Sequence, residues 1–484
     1  VREIRESQKS KALFLNAGDN FQGTVWYSLY KWEVVSKFVK MLKYDAMTIG
    51  NHEFDDGVDG LVPFIESISN DVPVISCNID ASNEPKLVNK FRKSIVLEVD
   101  KHKIGIIGYT TPETTFLSNP GKTLVFKDEI ECIKKEVELL QKQGIQILIG
   151  LGHSGFVKDI EIAEKVPELD VIIGGHSHTF LFSGPKPSVE EIVDDYPVVV
   201  NHSTHISLVV QAFAFGKYLG KLDLQFDENG NINTYEGKPI LLDQTIKQDS
   251  SAAKEVANYE QKIKSEYGKV IGKTNVLLEG DFRCRLRECN LGNLVTDAMV
   301  DYYMRRSRLY DGWTDTAIAV YVGGGIRATI DEQSNNGSIT LEDLLSVLPF
   351  GNDMVILEMS GKSIKLMLEQ SVTKYDITER DPSGRFLQMS GLRVIYDLNE
   401  PELKRVSKVY VRCADCRIPH FKPLNQTLNY RLIVPKYIAD GGDGYSLLTL
   451  DHIKRINSED IDHQILLDYI QQKSPIAHAL DNRI

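Results

Sequence analysis

Five potential metal ligands stand at the ends of apolar runs in the first 180 residues. Residues 12–17 (ALFLNA) lead into Gly18-Asp19-Asn20, and residues 46–50 (AMTIG) into Asn51-His52-Glu53. Residues 145–152 (IQILIGLG) lead into His153, and residues 171–175 (VIIGG) into His176-Ser177-His178. Asp19, Asn51, His153, His176 and His178 offer a carboxylate, an amide oxygen and three imidazoles. That donor set suits hard-to-borderline divalent metals. A two-metal hydrolase needs a bridging carboxylate, neutral nitrogen ligands and an open position for water. Asp19 suits the bridge, and Gly18 lets the backbone come close.

His52 and Asp55 form a different pair. A carboxylate three residues on can accept a hydrogen bond from the ring and hold an imidazolium, as a general acid or transition-state stabiliser requires. Asp100-Lys101-His102 has the spacing of a metal pair, but it lies in a charged turn at the opposite end of a strand and reads as solvated.

A second group lies beyond residue 280. Arg283, Arg285 and Arg287 alternate, as a solvated strand face or a ligand-binding set would. Arg327 closes the loop Gly323-Gly324-Gly325-Ile326-Arg327, where exposed backbone N–H groups and a guanidinium fork could take a phosphate or carboxylate. Phe350 and Tyr437 each neighbour a glycine turn, the second leading to Asp440-Gly441-Gly442-Asp443-Gly444. Either could be packing or a stacking platform.

These residues need elements to hold them. Residues 12 to about 240 alternate apolar strands with amphipathic helices, one after Tyr30 (Val34, Val35, Phe38, Val39, Leu42) and one around Ile130, Ile133, Val137 and Leu140. Residues 72–79 and 103–110 read as further strands, and residues 206–215 and 221–226 as strands before a hairpin turn at residues 227–231. The fold class expected is α/β, with ligand sites gathered at strand C-termini. The expected division is an α/β domain carrying the metal-ligand residues over 1–248, a bridging helix over 249–269 capped by Asp249 or Ser250, and an α+β domain over 270–484. Strands are expected at 317–322, 354–359, 387–396 and 430–434, and helices at 291–303, 341–347, 364–370 and 465–472.

With 484 residues, the chain is too long for one core. A net charge of -12 argues against a nucleic-acid surface, and no apolar run is long enough to span a membrane. The cysteines of the close pairs Cys284/Cys289 and Cys413/Cys416 could make two local disulfides or one zinc site, with disulfides the expectation; Cys77 and Cys132 could make a third bridge. Sequons at Asn201, Asn336 and Asn425 point to a secreted, extracellular glycoprotein; a lipid-anchored surface form stays open.

Gly18-Asp19-Asn20-Phe21-Gln22-Gly23-Thr24, Gly50-Asn51-His52-Glu53-Phe54-Asp55, Gly152-His153-Ser154 and Gly174-Gly175-His176-Ser177-His178 resemble the metallophosphoesterase motifs of the 5'-nucleotidase family, which includes ecto-5'-nucleotidases and secreted apyrases. The resemblance covers essentially the whole chain. It implies that Asp19 bridges two metal ions, zinc first and manganese or iron as alternatives. By the same resemblance Asn51, His153 and His176 complete one site, and His178 reaches the other metal. It makes His52 and Asp55 the catalytic dyad. It implies that Phe350 and Tyr437 sandwich the base, Asp443 binds the ribose, and Arg285 and Arg327 bind substrate, with Arg287 of less certain role. The cysteine pairs look like the family's local disulfides. A homodimer is compatible with it.

Two departures stand out. Val322 occupies a position where the family carries Asn, and nothing before Ala12 supplies the family's first Asp-x-His motif. The expectation is therefore an incomplete chain that binds the first metal weakly. The expected activity is that of a 5'-nucleotidase acting on adenine monophosphates. The alternatives are an apyrase taking ATP and ADP to AMP, and a catalytically impaired nucleotide-binding protein.

Overall fold

The computed structural model describes residues 1–7, 12–306, 312–377 and 382–484. The chain forms two compact units, Val1–Gln22 with Leu29–Val256 and Gly23–Ser28 with Ala257–Ile484.

In the first unit, the ligand-bearing runs form strands because they are apolar on both faces, as parallel strands covered by helices must be. Every residue of Ile147–His153 is buried. That strand pairs in parallel with His102–Thr110 and Val171–Ile173, and Val171–Ile173 with Ile206–Val210. Ser94–Val99 and Val198–Asn201 close the edges of this six-stranded sheet antiparallel. Leu15–Asn16, Ala46–Thr48 and Val74–Ile75 make a separate parallel sheet. The strands bearing Asp19 and Asn51 are therefore neighbours, as are those bearing His153 and His176.

Helix Glu129–Lys142 starts where Asp128 accepts the amide of Glu131 at 2.9 Å. It buries Ile130, Ile133, Val137 and Leu140 at helical spacing. Helix Val25–Leu42 breaks at Lys31 (φ 51°), so its second limb begins where the helix after Tyr30 was expected. The first helix, Arg2–Ser7, covers part of the N-terminal segment; residues 8–11 lie outside the described residues.

Several runs are shorter than expected. Only Leu15–Asn16 of residues 12–17 pairs as a strand. Residues 72–79 split into Val74–Ile75 and Ile79–Asp80, and the second piece pairs with Val125–Phe126. The strand expected to reach residue 215 stops at Val210; Phe213 and Phe215 take left-handed φ of 63° and 58°, which no strand accommodates. The hairpin is present: Tyr218–Phe226 pairs with Ile232–Leu241, and Asp227 Oδ1 receives the amides of Asn229 and Asn231.

Helix Ser250–Tyr267 has Asp249 accepting the amides of Ser251 and Ala252, and the division between units falls within it. The second unit holds a five-stranded sheet in the order Leu387–Ser390, Ile318–Val322, Asn429–Pro435, Asp353–Ser360, Lys454–Ile461. Alternation along the central strands sends Ala319 and Tyr321 to one apolar layer with Leu291 and Leu294, and Ile318, Val320 and Val322 to another with Ile364 and Leu368. The single strand expected over 387–396 is two. Gly391, at φ 74°, turns the chain so that Leu392–Tyr396 joins Val406–Arg412 and Phe421–Pro423 in a second sheet. A Cβ there would lie 1.9 Å from the carbonyl oxygen of Ala317, so the turn needs glycine.

Candidate active site

Asp19 projects from a left-handed turn (φ 54°) that follows Gly18 (φ 86°). A Cβ on Gly18 would stand 2.6 Å from the Gly50 nitrogen, so the loop carrying Asp19 and the loop carrying Asn51 are in backbone contact. Glu53 ties them together. Its Oε2 accepts the amides of Asp19 (2.9 Å) and Gly50 (2.6 Å), and its Oε1 those of Asn20 (2.5 Å) and Phe21 (3.3 Å). Glu53 is 1% exposed, and burial, then the charge of Asp19, raise its carboxyl above the usual range. Sequence reasoning passed over Glu53. Its only signal was a carboxylate inside a loop adjacent to another loop rich in backbone donors.

His153 Nδ1 lies 2.6 Å from the carbonyl oxygen of Ala17. A carbonyl only accepts, so Nδ1 carries the proton and Nε2 is directed to Asp19, 2.8 Å from Oδ2. That approach lacks the alignment of a hydrogen bond: among the described residues, His153 Nε2 is a buried atom with no hydrogen-bond partner, and so is Asn51 Oδ1. His176 completes the cluster, its ring 5.1 Å from that of His153. Ligand atoms of Asp19, His153 and His176 all lie within 4.8 Å of one another. The clustered carboxylate and two imidazoles, with the orphaned Nε2 among them, fit a cation, and the orphaned Asn51 oxygen is of the type that binds one.

The electrostatics agree. Burial works against the charge of Asp19, but His153, His52 and His176 outweigh it and hold the carboxyl well below its ordinary range. Burial, then the neighbouring His153, push His176 down to about 3. For His153 burial is outweighed by Asp19, and its pKa rises. An ionised carboxylate and a neutral imidazole are the forms a metal binds; His153 would lose its Nε2 proton to solvent on binding one. His178 lies outside this cluster: its ring packs edge-on to Phe215 at 5.3 Å.

His52 follows Asn51 in the 3₁₀ turn His52–Phe54. Its amide donates to Asp19 Oδ1 at 2.8 Å, and its Nδ1 meets Asp55 Oδ2 at 2.7 Å. Ser118 Oγ donates to the other oxygen of Asp55 at 2.6 Å. The dyad is thus braced from both sides. Asp100 and Lys101 form an exposed turn beside His102, away from the cluster.

In the second unit the alternating arginines are not a strand face. Asp281–Arg285 is a 3₁₀ turn. Arg283 and Arg287 both pair with Glu279, at 2.6 and 3.4 Å. Arg285 turns away, donates to the Pro382 carbonyl at 3.2 Å and stacks over Phe282, and its Nε is buried without a partner among the described residues. Arg285 and Arg327 both act on Asp281, whose carboxyl burial raises against their pull. Arg327 lies 6.0 Å from the Phe350 ring. Tyr437 donates its hydroxyl to Asp443 Oδ1 at 3.1 Å. Gly324 bonds to Gly384, and a Cβ on Gly384 would stand 3.6 Å from Asp443 Oδ2. Asp281 thus links Arg285 to Arg327 and Phe350, while Tyr437 and Asp443 lie beside the Gly384 turn that bonds to Gly324. The cysteine pairs are disulfides, Cys284–Cys289 and Cys413–Cys416, so the four-thiolate zinc alternative falls away.

Residues 1–180 match the sequence pattern described as calcineurin-like phosphoesterase, and residues 270–450 that described as the 5'-nucleotidase C-terminal domain. The 5'-nucleotidase of Diplobatis ommata is 42% identical over 489 residues, spanning 100% of this chain and 83% of that protein. The human 5'-nucleotidase is 41% identical over 490 residues with the same coverage. Among solved structures, a 5'-nucleotidase precursor from Thermus thermophilus superposes with a TM-score of 0.90 at 36% identity, over 99% of this chain and 91% of that one.

Proposed function

The chain belongs to the 5'-nucleotidase family, a metal-dependent group of nucleotide phosphohydrolases, and from that premise we propose that it removes the 5'-phosphate of extracellular nucleoside monophosphates, adenine nucleotides foremost. The observation that carries the proposal is the convergence of Asp19, His153 and His176, with the orphaned Asn51 oxygen, beside the His52–Asp55 pair.

The proposal assigns Asp19, Asn51, His153 and His176 to a divalent ion, with His178 reaching toward a second; zinc is the first choice and manganese the alternative. When bound, such ions supply Lewis-acid charge for the phosphoryl group and activation of the attacking water. Asp55 holds His52 through Nδ1, so proton donation and charge stabilisation by His52 run through Nε2. Glu53 fixes the two ligand loops. Arg285 and Arg327 are assigned to anionic groups of the substrate, Phe350 and Tyr437 to the base, and Asp443 to the ribose hydroxyls. An extracellular setting accords with the two disulfides and with the exposure of Asn201, Asn336 and Asn425. No helix among the described residues is long and apolar enough to cross a membrane.

Phosphate release from AMP, ADP and ATP by metal-stripped protein, with zinc or manganese restored, tests the reading. Release from AMP is the expected result. Release from ADP and ATP alone would make the chain an apyrase, and nucleotide binding without turnover would make it an inert binder.

A further inference from the structure

Cys77 and Cys132 are the two cysteines outside the disulfides, and the fold brings them together. Both are buried, at 4% and 9% exposure, in one apolar cluster with Ile130 and Ile133. Their thiols are near enough for each to perturb the other's ionisation. The surrounding backbone holds them in register. Cys77 donates its amide to Gly108 at 2.8 Å. The next residue, Asn78, exchanges two hydrogen bonds with Lys127, each 2.9 Å, and Ile79–Asp80 pairs with Val125–Phe126 just before the helix that carries Cys132.

We propose that Cys77 and Cys132 form a third disulfide, closed by exchange with a small-molecule disulfide, which clamps the segment after Val74–Ile75 to helix Glu129–Lys142. One of the two cysteines opens the exchange as its thiolate. Its sulfur bonds to one sulfur of the reagent disulfide and expels the other as a thiolate. The second cysteine then gives up its proton and attacks that protein sulfur, releasing the second reagent thiol. The protein loses two electrons and two protons, and the reagent disulfide becomes two thiols.

The clamp bears on the ligand loops. Asn78 donates to the Thr110 carbonyl at 2.6 Å and accepts the Thr110 amide at 3.0 Å. Thr110 Oγ1 donates at 2.6 Å to Ile49, two residues before Asn51.

The full chain, treated with glutathione disulfide, denatured, alkylated and digested, decides the matter. The expected result is a Cys77–Cys132 linked peptide, neither residue alkylated, and a mass about 2 Da below a control retaining both thiols. The oxidised form should also unfold at higher urea than that control, and the gap should vanish in the Cys77→Ser/Cys132→Ser double variant. In one or both of Cys77→Ser and Cys132→Ser, a glutathione adduct should be trapped on the remaining cysteine. Alkylation of both residues while the other two pairs stay bonded, or linkage to any other cysteine, would overturn the proposal. An adduct in neither single variant would overturn exchange as the route. Equal urea midpoints would overturn the clamp.

Discussion

At Asp19 the backbone is left-handed, and the four amides gathered by Glu53 hold the neighbouring loops in that shape. Glu53→Ala would leave those donors buried without an acceptor, at roughly 1–3 kcal/mol for each group that water cannot reach. The expected outcome is a lower unfolding midpoint and a metal affinity reduced by roughly 10–100-fold, read by competition with a coloured chelator. Unchanged affinity would remove Glu53 from the support of the site. The dyad has a different signature. His52→Ala is expected to lower kcat by about 10²–10⁴-fold with KM little changed, because the ring acts on the reacting group rather than on ground-state binding. Asp55→Asn should cost less, since the ring remains but its imidazolium loses its counter-charge. A His52→Ala loss below about tenfold in steady-state AMP hydrolysis would take His52 out of the chemistry.

Among the strands, Asp170 is the pH-sensitive fastening. Its Oδ2 accepts the Leu148 amide at 2.8 Å, joining the start of Val171–Ile173 to Ile147–His153. Burial pushes its carboxyl from an ordinary 3.8 up to about 7, against the Leu148 bond and His205. The folded chain therefore holds this proton more tightly than the unfolded one. Its contribution to stability is full below about pH 4 and is lost as pH rises through 7, on the order of 2 kcal/mol between pH 5 and 8. Asp170→Asn keeps an acceptor for Leu148 without a charge. Urea midpoints across that range should flatten in the variant, and an unchanged slope would refute the assignment. At this same scale the sequence was partly legible. Runs such as IQILIGLG announce parallel strands because both faces are buried, and ligands at their ends follow. The stop at Val210 was hidden, because the left-handed backbone of Phe213 and Phe215 comes from tertiary packing rather than residue type. Glu53 was hidden for a related reason: three of its four amide partners lie some thirty residues away. Arg285 could be told from Arg283 and Arg287 only by the resemblance until Glu279 was seen to hold the other two.

For the molecule as a whole, the proposed function assigns chemistry and substrate choice to separate units, so they should fail separately. Arg285→Ala or Arg327→Ala is expected to lower kcat/KM for AMP by about 10–100-fold, the worth of one charged hydrogen bond, while metal content measured by atomic absorption stays at the wild-type level. Loss of metal in either variant would contradict that separation. Within the second unit no such independence exists. Gly391 passes one continuous apolar segment from the five-stranded sheet to the three-stranded one. Neither sheet can open at that edge without dragging on the other. The two sheets are thus one thermodynamic body: their amides should share a single opening free energy in hydrogen exchange, and the unit should melt in one calorimetric step rather than fraying sheet by sheet.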